Sequence, residues 1–182
     1  MQVVYNFSQP GLQWKQSDHL RSLMTVTSRD WLLDRGSLTR RLRVLSDDDL
    51  EVVPLREEVG VILPHEADVL GLQLGAIGGV REVYLVGFGR PWVFARSIIV
   101  NSGSIEEGSA LLQLGNMPLG DLLFGDGSFQ RSEIEVCRYH DACNASARST
   151  YPLWARRSVF KREKMHVLVQ EMFLPALWEE MS

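Results

Sequence analysis

Residues 80–100 read Val80-Arg81-Glu82-Val83-Tyr84-Leu85-Val86-Gly87-Phe88-Gly89-Arg90-Pro91-Trp92-Val93-Phe94-Ala95-Arg96-Ser97-Ile98-Ile99-Val100, and their reading decides the fold class. Two runs rich in β-branched and aromatic residues, 80–88 and 92–100, predict strands. Between them Gly89-Arg90-Pro91 predicts a hairpin turn, so the two strands pair antiparallel. Working outward, 50–63, 129–139, 153–162 and 165–174 predict four more strands. Helical signals lie between these runs. Ser28 caps a short helix that Gly36 closes, and Ser37 caps a second one beginning at Leu38. Residues 104–114 predict a helix ending near Gly115, and Pro118 opens a short helix through Phe124. Hairpin-linked strands with helices inserted among them predict an α+β fold with a single, mostly antiparallel sheet of about six strands. Residues 1–27 read as an N-terminal arm and 137–152 as an extended loop, within one domain spanning 1–182.

The chain of 182 residues has 19 Lys+Arg against 23 Asp+Glu, a net charge of −4, and is 45 % hydrophobic. That is ordinary globular usage, and a chain of this length can hide about 70 % of its extended surface, enough for an enclosed small-molecule cavity. The mild acidity argues against nucleic acid as a partner, which normally needs a basic face. No uncharged stretch is long enough to span a bilayer, and the first residues show no basic, then apolar, leader pattern. Two cysteines, Cys137 and Cys143, fit a reducing compartment. A cytoplasmic protein is the expectation.

Four charges fall on strand faces that are otherwise apolar. Glu171 shares a face with Val167, Val169 and Phe173, and Arg81 shares one with Val83 and Leu85. Arg96 alternates onto the face of Trp92, Phe94 and Ile98, and Arg156 onto that of Trp154 and Phe160. Each has a plain reading as a strand-edge charge or a cross-strand ion pair. Each also has a sharper one: an inward guanidinium suits a bidentate carboxylate ligand, and an inward carboxylate must meet a cation or be desolvated. Leu38 and Leu119 fall at predicted helix N-termini, where free backbone N–H groups attract anions. The spacing Cys137-x-x-His140-x-x-Cys143 supplies three potential zinc ligands and no fourth, so no metal is assigned. Gly87-Phe88-Gly89 and Gly75-Ala76-Ile77-Gly78-Gly79 do not continue as nucleotide-binding loops, and no nucleophile elbow occurs.

Seven segments in order carry a family resemblance: Asp30-Trp31-Leu32-Leu33; Ser37-Leu38-Thr39-x-Arg41; Arg81-Glu82-Val83; Gly89-x-Pro91-Trp92-x-x-x-Arg96; Pro118-Leu119-Gly120-x-x-Leu123-Phe124; Trp154-Ala155-Arg156-Arg157-Ser158; and Glu171-Met172-Phe173-Leu174-Pro175-Ala176. Together they make the chain resemble the chorismate pyruvate-lyases (chorismate lyases). The resemblance implies helical flaps over an internal site, and conversion of chorismate to 4-hydroxybenzoate and pyruvate as the first step of ubiquinone biosynthesis. It implies no cofactor or metal, and a monomer. Carried over position by position, it implies that Arg81 binds the ring carboxylate and Glu171 meets the hydroxyl end of the product. Leu38 and Leu119 would touch ligand through the flap backbone.

Chorismate is a dianion. For its enolpyruvyl carboxylate the sequence offers Arg96 or Arg156 and does not choose between them. Glu171 would hydrogen-bond the ether oxygen best when protonated, a state its apolar face would favour. Tight product binding under closed flaps, with slow release, is a further expectation. The alternative reading is a non-catalytic effector-binding domain for a benzoate-like ligand, similar to the ligand domains of GntR-type repressors. Such domains normally follow a DNA-binding domain, for which residues 1–27 are too short.

Overall fold

The structure is a computed structural model that describes Tyr5, Phe7, Ser8 and residues 13–101, 115–139 and 153–182. In chain order the described elements are β1 (Lys15–Gln16), α1 (Ser17–Leu20), a 3-10 turn (Arg21–Leu23), α2 (Val26–Leu32), α3 (Leu38–Leu45), β2 (Leu50–Val61), α4 (Pro64–Leu70), β3 (Ile77–Gly87), β4 (Arg90–Asn101), α5 (Leu119–Gly125), β5 (Gln130–Arg131), β6 (Glu135–Tyr139), β7 (Leu153–Arg162), β8 (Met165–Phe173) and α6 (Pro175–Glu180). The strands form one antiparallel sheet in the order β1-β6-β7-β8-β4-β3-β2, with β5 beside β6 on the free edge of β7. Six strands of five or more residues make the body of the sheet, and two-residue β1 and β5 extend it to eight.

Alternation sorts the side chains into two layers. On one face Val83, Leu85, Val93, Trp154 and Phe173 pack under α2, α3 and α6 through Trp31, Leu32, Leu38, Leu42, Leu177 and Trp178. The same face continues through Val167 and Phe160 to Leu119 and Leu123 of α5. The other face carries Phe94, Met172 and Phe7 at one end, and Val80, Ile98, Leu168 and α4 at the other.

The central hairpin turns one residue earlier than expected. Phe88 and Gly89 form the two-residue loop with φ of 50° and 70°, and Arg90 and Pro91 already belong to β4. This is the left-handed pair that suits the twist of a tight hairpin. The register slips between Leu85 and Val86, leaving Trp92 as an extra residue in β4. Trp92 therefore joins the core of Val93 and Leu85 instead of sharing the face of Phe94 and Ile98. Its ring lies flat on Gly87, where a Cβ would come within 2.3 Å of it, so only glycine fits there.

Other boundaries also differ. Thr25, not Ser28, caps α2, its hydroxyl accepting from Ser28 N at 3.1 Å, so the helix starts earlier. Residues 129–139 split into β5 and β6, because Ser132 leaves the ladder and exchanges bonds with Val159 at 2.8 and 3.0 Å. The Pro-initiated helices α4 and α6 were not read from the sequence. Ser37 caps α3 as expected. The predicted helix 104–114 and most of the loop 137–152, with His140 and Cys143, lie outside the described residues. Among the described residues no helix is long and apolar enough to cross a membrane.

Candidate active site

A row of polar side chains crosses the helix-covered face of the sheet. Glu57 of β2 stands opposite Arg81 of β3, and Arg81 opposite Ser97 of β4. Ala95 of β4 faces Glu171 of β8, which faces Arg156 of β7. Arg81, Ala95, Ser97, Glu171 and Arg156 form the floor of one cavity, with Val83, Leu85, Val169 and Phe160 around them. Its roof is two helix N-termini, Leu38 and Thr39 of α3 and Leu119 and Gly120 of α5. These tips meet closely: a Cβ on Gly120 would lie 3.1 Å from the Thr39 hydroxyl. The free space is about 50 Å³, enough to hold water. Two larger hollows, of about 270 and 310 Å³, lie elsewhere, and neither is lined by an arginine.

Each cation of the site is held by the protein. Arg81, 3 % exposed, donates from Nε to Glu57 at 2.7 Å and from Nη2 to the carbonyls of Gly115 (2.6 Å) and Met117 (3.0 Å). It thereby ties the approach to α5 to the sheet, while its Nη1 has no hydrogen-bond partner among the described residues. Arg156, 1 % exposed, donates from Nε to Glu171 Oε2 at 2.5 Å. Its Nη1 donates to the carbonyls of Trp31 (3.0 Å) and Asp34 (2.8 Å), at and just past the end of α2. A helix C-terminus, with its partial negative charge, suits a cation there. The sequence places Glu171 on an apolar face; the structure sets a guanidinium against Oε2, while Oε1 has no hydrogen-bond partner among the described residues.

Arg131 of β5 was missed. It lines the same cavity, donates from Nε to Ser158 Oγ (2.9 Å) and from Nη1 to Arg35 O (2.9 Å), and lies 5.2 Å from the Phe160 ring. Burial pulls its guanidinium down to about 10, against the opposing pull of Glu171, so it stays cationic at neutral pH. Along the strand expected over 129–139, Arg131 shares a face with Glu133 and Glu135, so it does not stand out as a charge on an apolar face.

Arg96 is on the opposite side of the sheet and does not reach the cavity. Its Nε and Nη2 bind both oxygens of Glu66 at 2.7 and 3.0 Å, and Nη1 binds Glu82 at 2.6 Å. Gln170 adds a bond to Glu66 at 2.6 Å. Glu66 is wholly buried and also caps α4 by accepting from Leu63 N at 2.8 Å. Arg96 is thus a structural cation, because its strand neighbours Glu82 and Gln170 and the α4 carboxylate consume its fork. His65 contacts Gln170 at 3.2 Å, and burial pushes its imidazole below the usual range against the pull of Glu66.

The floor, the two flap tips and the charge pairing can be set beside known proteins. The model of the family described as "Chorismate lyase" matches residues 10–182. A "Probable chorismate pyruvate-lyase 2" from Pseudomonas fluorescens is 46 % identical over 91 % of this chain and 91 % of its own. A "Probable chorismate pyruvate-lyase" from Pseudomonas aeruginosa is 46 % identical over 92 % and 93 %. Among solved structures, PhnF from Mycobacterium smegmatis is similar in fold alone, with a TM-score of 0.51 and 14 % identity over 78 % of this chain and 64 % of its own. The family match over nearly the whole chain, with relatives this similar, shows that the chain belongs to the chorismate lyase family.

Proposed function

We infer that this protein is a chorismate pyruvate-lyase, converting chorismate to 4-hydroxybenzoate and pyruvate. The observation that carries the reading is that Arg81 and Glu171, read separately from two strands, line one cavity with Leu38 and Leu119 over them. Arg81 takes the ring carboxylate through Nη1, with Glu57 and two carbonyls fixing its plane in advance. The first backbone N–H groups of α3 and α5, at Leu38 and Leu119, have no partner within their helices and supply further donors. Glu171 meets the oxygens at the far end of the ring through Oε1. Arg156 is a positioning residue, since it holds Glu171 and the end of α2 together.

The reaction conserves every atom of its substrate. A ring C–H next to the ether-bearing carbon breaks, the ether C–O bond breaks, and a C–H bond forms at the enol methylene. Each product leaves with one of the two negative charges. Aromatisation drives the change, so the protein's part is to hold the reactive conformer in a dry enclosure. The flaps close that enclosure, and the tie from Arg81 to Gly115 and Met117 couples ligand binding to flap position. A cytoplasmic location accords with the free, buried Cys137 thiol, which burial pushes up to about 11.

The test is direct. Purified protein incubated with chorismate should release 4-hydroxybenzoate and pyruvate in equal amounts. A folded protein that binds 4-hydroxybenzoate and releases neither product would instead be a binding domain, and the lyase reading would fall.

A further inference from the structure

Among the described residues, Arg81, Arg131 and Arg156 are the arginines that line the cavity. Two of them are matched. Arg81 is paired with Glu57 at 2.7 Å and Arg156 with Glu171 at 2.5 Å. Arg131 makes no ion pair among the described residues; its acceptors are a hydroxyl and the carbonyls of Arg35 (2.9 Å) and Asp34 (3.5 Å), all uncharged. Nη2 has no acceptor among them at all. The nearest charges are mixed in sign, Glu171 and Asp34 against Arg156 and Arg35, and burial outweighs them all. Arg131 is half-buried, and a guanidinium that lines a cavity with a free edge and no carboxylate partner among the described residues suits an anionic ligand. The rings of Phe124 and Phe160, at 5.8 and 5.2 Å, lie beside the guanidinium without neutralising it.

We propose that Arg131 binds the second carboxylate of the substrate, the one that departs in pyruvate. The proposal rests on the lyase reading and deepens it. With Arg81 on β3 and Arg131 on β5, the two cations sit on opposite sides of Glu171 in the sheet, β3 lying beyond β4 and β5 beyond β7. A ligand with carboxylates at both ends would be held across the glutamate, its ether and hydroxyl oxygens over the middle. The product 4-hydroxybenzoate keeps only the Arg81 end. Arg131 therefore separates substrate from product: it contributes to chorismate binding and is released by the loss of pyruvate.

That asymmetry supplies the test. Arg131→Gln and Arg131→Lys would be made in the full chain, with KM and kcat measured on chorismate and Kd measured for 4-hydroxybenzoate and for its 3-carboxymethoxy derivative, a stable dicarboxylate. For Arg131→Gln, KM for chorismate and Kd for the dicarboxylate should rise at least tenfold, while Kd for 4-hydroxybenzoate stays within about twofold. Arg131→Lys should restore part of the loss, since the charge returns without the fork. Equal weakening of monocarboxylate and dicarboxylate would overturn the proposal, because Arg131 would then act only through the Arg35 loop it binds. Unchanged chorismate kinetics would overturn it too. If Arg131→Gln does not fold, Arg131→Lys should still weaken the dicarboxylate more than 4-hydroxybenzoate, and equal or no weakening would overturn the proposal. A wild-type protein without lyase activity would defeat the lyase reading instead, and the binding of the dicarboxylate against the monocarboxylate would still decide the role of Arg131.

Discussion

Replacing Arg96 by methionine should destabilise the protein severely and leave ligand recognition alone. Arg96 is 4 % exposed and Glu66 is 0 % exposed, and the two share a bidentate bond at 2.7 and 3.0 Å. Methionine keeps the apolar volume and removes the charge. Glu66 would be left with the Leu63 N–H and the Gln170 amide as its donors, a carboxylate buried without a cation. Breaking one side of such a pair costs about 3–5 kcal/mol. With a urea slope of about 2 kcal/mol/M, the unfolding midpoint should fall by roughly 1.5–2.5 M. In a domain of this size the melting temperature should drop by about 6–20 °C. Adding Glu66→Gln removes the orphaned charge, so the double variant should lose less than the two single losses summed. The assay is urea unfolding followed by tryptophan fluorescence, with Kd for 4-hydroxybenzoate measured on whatever remains folded. An Arg96→Met protein of normal stability with weakened product binding would refute the reasoning, since Arg96 would then be a ligand group.

Further outcomes follow from the same geometry. Glu171→Ala should reduce kcat on chorismate by at least a hundredfold while far-UV circular dichroism stays native; near-normal turnover would remove Glu171 from the mechanism. Arg81→Ala deletes a charge-assisted contact of about 1.5–3 kcal/mol, so product affinity read by titration calorimetry should fall roughly ten- to hundredfold. Gly87→Ala drives a methyl into the Trp92 ring at 2.3 Å, an overpacking that costs about 1–3 kcal/mol and shows in the melting temperature. His65 has its folded-state value depressed by burial, so the unfolded chain binds the extra proton first as pH falls. Its contribution is complete above the unfolded value of 6.5 and is lost on acidification below that. Stability of wild type against His65→Gln, measured from pH 8 to pH 5, should diverge only in the acidic half, with wild type falling faster.

Some of the molecule is legible from local chemistry. The strand β7 has the bounds that residue composition predicts, 153–162, and β8 ends one residue short of them. Ser37 is legible as a cap because a hydroxyl before an amphipathic run has one obvious acceptor role, and it does accept from Arg40 N. Thr25 was not, because Ser28, three residues on, offers the same chemistry; both take part, Thr25 as the cap and Ser28 as its donor. The turn of the central hairpin was misplaced by one residue, since Phe88 at φ 50° defies the preference for glycine or asparagine there. Register then followed the tighter loop and pushed Trp92 out of simple alternation.

For the site, alternation alone singled out Arg81, Arg96, Arg156 and Glu171, because a charge among apolar neighbours on one face is visible in any strand. Which of those faces lies under the flaps is a different question. Period two says that neighbours along a strand point apart; it does not say on which side of the sheet α3 and α5 pack. Cross-strand register supplied that: Arg156 stands opposite Glu171 beneath the flaps, while Arg96 stands between Glu82 and Gln170 on the reverse side. Arg131 does not stand out by alternation, since Glu133 and Glu135 share its expected face, and its place beside Phe160 is fixed by one short pairing with β7 and by the loop carbonyl of Arg35. Sequence by itself determined the long strands β2, β3, β4, β7 and β8, the α3 cap and the family resemblance, all of which rest on neighbours along the chain. Tertiary structure decided which guanidinium meets a carboxylate and which is left to meet a ligand, because charge compensation depends on distances between strands far apart in sequence.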